Sequence, residues 1–195
     1  MQLPVQLPSF IPSSAINMNI LLPNGCAITH FRRSDREAII ANLQDGLVQP
    51  STLLIPFPYT ETHADEWLTI AVPSEGAEAE CRQWAIRDTT GCQIGGIGFH
   101  NSQKGQEHAA EIGYWLASSH WGRGIGTEAV RAVCEFGFQH LGLARITAAI
   151  FPGNKASARV LRKCGFVLEA PLQRKLYRKN GEFIDAVLYA KVARD

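Results

Sequence analysis

The stretch from Trp121 to Ala129 reads Trp-Gly-Arg-Gly-Ile-Gly-Thr-Glu-Ala, and it limits the possible folds more tightly than any other part of the chain. Before it, Glu111 to Leu116 alternates as a strand does, with Glu111, Gly113 and Trp115 on one side and Ile112, Tyr114 and Leu116 on the other. After it, Val130, Val133, Cys134, Phe138 and Leu141 share one helical face, while Glu128, Arg131, Glu135 and Gln139 share another, so an amphipathic helix runs from Thr127 to His140. A strand must therefore turn through three glycines directly into a helix. Glycine lets backbone come close to an anion, and the first N–H groups of a helix have no intrahelical acceptor and sit at its positive end. A pyrophosphate fits such a turn.

The rest of the chain divides by its punctuation. Residues 1–20, with Pro4, Pro8 and Pro12, suit an extended arm, leaving 21–195 as one domain. A strand is expected from Ala27 to Arg32. Ser34 and Glu37 stand in capping-box relation at the start of a helix that stops near Gly46. Thr60 caps a second helix carrying Ala64, Trp67 and Leu68, ended by Pro73. Arg82–Arg87 and Gln93–His100 form a hairpin across Thr90-Gly91. Arg145–Phe151 is a buried strand, Lys155–Cys164 a helix stopped by Gly165, and Asn180-Gly181 a type I′ turn between two closing strands. The sum is an α+β chain of helices and strands that read as antiparallel hairpins.

Composition removes some functions. A chain of 195 residues with 46% apolar content sustains one core, and its net charge of +1 gives no reason to expect nucleic acid or an anionic membrane as partner. The basic residues between Lys155 and Lys179 read as a solvated helix face. Five scattered cysteines lack metal or redox spacing, His100, His108 and His120 form no ligand set, and no stretch reaches the ~20 apolar residues of a membrane span. No metal and a reducing, cytoplasmic setting are the expectation.

Gly124, Gly126 and Ala129 also satisfy a GxGxxA dinucleotide fingerprint. That reading requires an acidic residue ~20 positions onward for ribose and repeated βαβ units. There is no Asp or Glu between Glu135 and Glu169, and the flanking chain reads as hairpins. The glycines could also be nothing more than a tight strand-to-helix turn.

The glycine turn together with Asn154, Ser157, Gly165 and Phe166 resembles the GNAT superfamily of N-acetyltransferases, in the branch of ribosomal-protein N-terminal (alanine/serine) acetyltransferases. Ile55–Thr60, Ala64–Leu68, Glu111–Ala117 and Asn180–Asp185 extend the likeness over roughly Ala27 to Val192. The resemblance implies an α+β fold with a mixed, mostly antiparallel twisted sheet flanked by helices and with splayed central strands, the pantetheine arm of acetyl-CoA lying against the backbone of Trp115, Leu116 and Ala117. It implies the pyrophosphate on the amides of Arg123, Gly124, Ile125, Gly126 and Thr127, with the Arg123 side chain beside it.

Two positions depart from the superfamily pattern. Trp121 stands where Gln or Arg is usual, and Leu161 stands where a tyrosine general acid is frequent. By resemblance Ser157 then becomes the proton donor, Asn154 a coenzyme contact and Glu111 the general base. Asn154 is equally a helix N-cap, Ser157 a first-turn residue and Glu111 a solvated strand end.

The implied reaction is direct transfer of acetyl to a primary amine, a protein N-terminal α-amine first, with a polyamine, amino acid or antibiotic amine still open. A catalytically silent module binding coenzyme A is the alternative. Phe57 and Tyr59 are the expected walls of the acceptor site, and the chain acts as monomer or homodimer.

Overall fold

The computed structural model describes residues 18–77, 81–100 and 105–193. Strands β1 (Asn19–Leu21), β2 (Ala27–His30), β3 (Gln83–Arg87), β4 (Gln93–His100), β5 (Ala109–Leu116), β6 (Arg145–Ile150), β7 (Val167–Lys179) and β8 (Glu182–Val192) form one sheet. Their order is β1-β2-β3-β4-β5-β6-β8-β7. Among the described residues only β5 and β6 pair in parallel. The expected mixed, mostly antiparallel sheet is thus present. The strand expected from Glu111 to Leu116 is β5.

Residues 1–17 of the expected arm lie outside the described residues. Met18 is buried and Asn19 pairs with Thr29, so Met18 to Ile20 are in or beside the sheet, and the expected boundary at residue 20 falls inside β1.

Helices α1 (Arg36–Leu43) and α2 (Glu61–Ala71) cover one face of the sheet; α3 (Ile125–His140) and α4 (Lys155–Lys163) cover the other. The alternation along β5 sorts its side chains accordingly. Ile112, Tyr114 and Leu116 pack with α3, and Trp115 packs with Phe31 and the α1–α2 cluster. Gly96 makes room for Trp115, since a Cβ there would lie 2.6 Å from the indole nitrogen.

Local signals set most of the boundaries. Thr60 caps α2, accepting from the His63 amide at 3.4 Å. Asn154 Oδ1 accepts from the Ser157 amide at 3.0 Å and caps α4. At the other end of α4, Phe166 N–H bonds to the Leu161 carbonyl and Gly165 N–H to that of Arg162, a Schellman closure with Gly165 at φ +83°. Asn180 and Gly181 both have positive φ, as a type I′ turn requires.

One cap differs from expectation. The Ser34–Glu37 box does not form; a 3-10 turn, Arg33–Asp35, precedes α1, and the Asp35 carboxylate accepts from the Arg32 amide at 2.8 Å. Asp35 prevails because it is held from beyond the helix: Arg87 donates to both its oxygens at 2.7 and 2.9 Å, and the two side chains are almost completely buried. Such a pair resists removal of either partner, since the other charge would be left without water or a counter-ion.

Candidate active site

Parallel pairing between β5 and β6 runs from Ala109↔Arg145 to Glu111↔Thr147 and stops. Past that point β5 stays with β4 as far as Leu116↔Gly95, and β6 stays with β8 as far as Ile150↔Val187. Each strand keeps its outer partner while the inner edges part, so the sheet opens into a cleft, as the splayed strands required.

Main-chain direction along the cleft follows from one bond. Ala117 N–H donates to the Ile94 carbonyl at 2.8 Å, across the antiparallel β4–β5 ladder. Donors on a strand alternate between its two edges, so Trp115 also turns its amide to β4, while Tyr114 and Leu116 turn theirs to the cleft. Of the three residues expected to pair with a pantetheine arm, only Leu116 offers its amide to the cleft; its carbonyl accepts from Trp121 Nε1 at 2.7 Å. The departure at Trp121 therefore pins the glycine turn to the end of β5.

Beyond Trp121, Gly122 (φ +75°) and Gly124 (φ +80°) bend the chain so that Gly124 is the N-cap of α3. The helix starts at Ile125, two residues before the expected start. Among the described residues, the amides from Gly122 to Gly126 donate to no protein acceptor, and a Cβ on Gly122, Gly124 or Gly126 would meet open space. Thr127 differs: its amide donates to the Gly124 carbonyl at 3.0 Å, which removes it from the expected anion-binding set. Four consecutive expected donors, Arg123 to Gly126, stay available at a helix N-terminus, and Arg123 is exposed beside them. They fit a diphosphate.

Ser157 lies in the first turn of α4, with Leu161 buried one turn later, where it cannot supply a proton. The Ser157 hydroxyl meets Tyr114 Oη at 2.6 Å. Burial holds the Tyr114 phenol above the ordinary tyrosine range, so it stays protonated at neutral pH. Tyr114 escapes a sequence reading because it alternates with Ile112 and Leu116 and looks like core.

Glu111 sits at the fork of the two strands. Burial raises its carboxyl pKa, opposed by the Tyr177 hydroxyl, which donates to its two oxygens at 3.2 and 3.5 Å. It is therefore not a solvated strand end. A cavity of about 430 Å³ opens at this level, with Glu111, His108, Arg145 and Thr147 in its wall. Tyr177 is 66 residues away on β7, and nothing local in the sequence signals its role.

The two expected acceptor walls differ. Phe57 is 56% exposed, over Gly46. Tyr59 is buried with Ala64 and Leu68, and that burial pushes its phenol up to about 12. Tyr59 is thus core, not pocket lining; the proline-rich loop folds inward on it because α2 needs a cover for its apolar face.

The acetyltransferase (GNAT) domain profile matches residues 27–167, the stretch that holds the cleft, the turn and α4. The chain belongs to the GNAT acetyltransferase family. Over 113 residues it is 42% identical to the uncharacterized N-acetyltransferase YoaA of Bacillus subtilis, covering 56% of this chain and 62% of that one. It is 35% identical to the ribosomal-protein-serine acetyltransferase of Escherichia coli, over 51% of this chain and 54% of the other. The chain therefore spans between half and two thirds of these relatives' lengths. Mycobacterium smegmatis RimJ, in a structure with CoA-disulfide, is 26% identical with a TM-score of 0.75, over 90% of this chain and 86% of that one. The GNAT fold accounts for the glycine turn, and with only one parallel strand pair among the described residues the dinucleotide-dehydrogenase reading falls away.

Proposed function

We propose that this chain transfers acetyl from acetyl-CoA directly to a primary amine, and that the acceptor is a protein N-terminal α-amine. The observation that carries the reading is the continuity of cleft and turn. A single segment, Glu111 to Gly126, supplies a carboxylate at the fork, cleft-facing amides along one edge and, at its end, amides with no acceptor among the described residues. Likeness to a ribosomal-protein-serine acetyltransferase supports the choice of acceptor.

In this reading the Arg123–Gly126 amides and the Arg123 guanidinium bind the diphosphate. The Leu116 amide holds the pantetheine arm. The Tyr114 amide faces the thioester carbonyl and stabilises negative charge on its oxygen as the amine adds. Glu111, at the fork, takes the proton the amine loses. Ser157 donates to the departing sulfur. An α-amine, with pKa near ~8, needs less help to become neutral than a lysine near ~10.4, which suits a carboxylate base.

The test is release of free thiol from acetyl-CoA with a panel of acceptors: peptides with free N-termini, the same peptides capped but carrying lysine, polyamines and amino acids. Free-N-terminus peptides are expected to turn over fastest. Acetyl-CoA binding without turnover on any acceptor would leave a silent module, and absence of binding in calorimetry would overturn the whole reading.

A further inference from the structure

Leu161 leaves the α4 helix without a phenol, yet a phenol from the opposite side of the cleft occupies the proposed donor's hydroxyl. Tyr114 belongs to β5, one lip of the opened sheet, and Ser157 to the helix that follows β6, the other lip. Their 2.6 Å contact joins the two lips on the α3–α4 face, across 43 residues of sequence. Building on the acetyl-transfer reading, we propose that Tyr114 is the positioning residue of the thiol-leaving step, its O–H donating to Ser157 Oγ so that the Ser157 proton is directed at the sulfur.

The direction of that bond follows from chemistry. A phenol is a far stronger acid than an aliphatic alcohol, and an alcohol oxygen is the better acceptor, so the shared proton that makes the bond is tyrosine's. A serine hydroxyl has a single proton. With its oxygen accepting from Tyr114, that proton is free to point elsewhere. The Ser157 amide is itself held by Asn154 Oδ1 at 3.0 Å, which fixes the turn that carries the hydroxyl.

As the C–S bond breaks, its electron pair goes to sulfur, and the Ser157 O–H donates a proton to it. The Tyr114 proton passes to the serine oxygen in the same step, so no alkoxide forms, and the phenol regains a proton from solvent after the thiol leaves. Cys134 and Cys164 stand near the same phenol, but both thiols are raised by burial and stay protonated, so neither competes as a base. Such two-hydroxyl chains polarise one another and strengthen the terminal donor.

The experiment compares wild type, Tyr114→Phe, Ser157→Ala and the double variant in thiol release, with whichever amine of the panel the wild type acetylates. The acetyl donors are acetyl-CoA and an acetyl thioester of a more acidic thiol. Tyr114→Phe is expected to lower kcat about tenfold with acetyl-CoA and leave KM for it unchanged, a part of the hundredfold or more that a positioned proton donor contributes. The loss should shrink with the more acidic leaving group, which needs less proton donation, and disappear in the Ser157→Ala background. A full kcat in Tyr114→Phe, an equal loss for both thioesters, or an undiminished loss on top of Ser157→Ala would overturn the proposal. Thermal melting of each variant separates a misfolded protein from an unaided serine. A wild type that acetylates no amine would defeat the acetyl-transfer reading, a result distinct from any of these.

Discussion

Gly124→Ala offers the sharpest separation of folding from binding at the glycine turn. Gly124 has φ +80°, and an added Cβ meets nothing within 4 Å, so the substitution introduces strain but no collision. An L-residue held in the left-handed region costs ~1–2 kcal/mol. For a domain of this size each kcal/mol lowers Tm by roughly 2–4 °C, so the melt should fall by about 2–8 °C. The same conformation aims the Arg123–Gly126 amides outward; if strain turns the loop, hydrogen bonds to the diphosphate are lost at ~1.5–3 kcal/mol each. Acetyl-CoA affinity in calorimetry should drop about ten- to a hundredfold for each lost bond. Gly142→Ala is the control: φ +66° and open space again, in the loop after α3 and away from the cleft. It should show a similar Tm loss with unchanged affinity. A Gly124→Ala protein that melts lower but binds acetyl-CoA like wild type would refute the idea that this turn grips phosphate.

Further predictions concern the fork, the buried pair and the α4 cap. Burial lifts the Glu111 carboxyl above its usual 4.5, so kcat/KM should climb as pH rises through that higher value and the group ionises; Glu111→Gln should abolish this acid limb and lower kcat ~10²–10⁴-fold in the thiol assay. Tyr177 donates to the charged form, so Tyr177→Phe should move the acid limb to higher pH, and a shift to lower pH would exclude that bond. Arg87→Met strands a buried Asp35 and should cost about 3–5 kcal/mol in urea unfolding, partly recovered by adding Asp35→Asn. Asn154→Ala removes the α4 cap and should cost ~1 kcal/mol. An affinity loss for acetyl-CoA larger than the Tm change explains would assign the Asn154 side chain to the coenzyme as well.

What the amino-acid sequence determined unaided is whatever depends on neighbours within a few residues. The glycine turn, the amphipathic face of α3, the caps at Thr60 and Asn154 and the Asn180-Gly181 turn all arise from short spacings, because backbone conformation and helical or strand period act over that range. The Ser34–Glu37 box fails to form for the same reason: Asp35, held by Arg87 52 residues onward, takes the Arg32 amide at the 3-10 turn ahead of α1. Only tertiary structure decided where β5 and β6 part, since both strands look alike in sequence on either side of Glu111↔Thr147. It also joined Tyr114 to Ser157 and Tyr177 to Glu111, and turned Tyr59 into core. Strand order brings distant side chains together and sets which edge of a strand is left unpaired, and neither can be expressed in local periodicity.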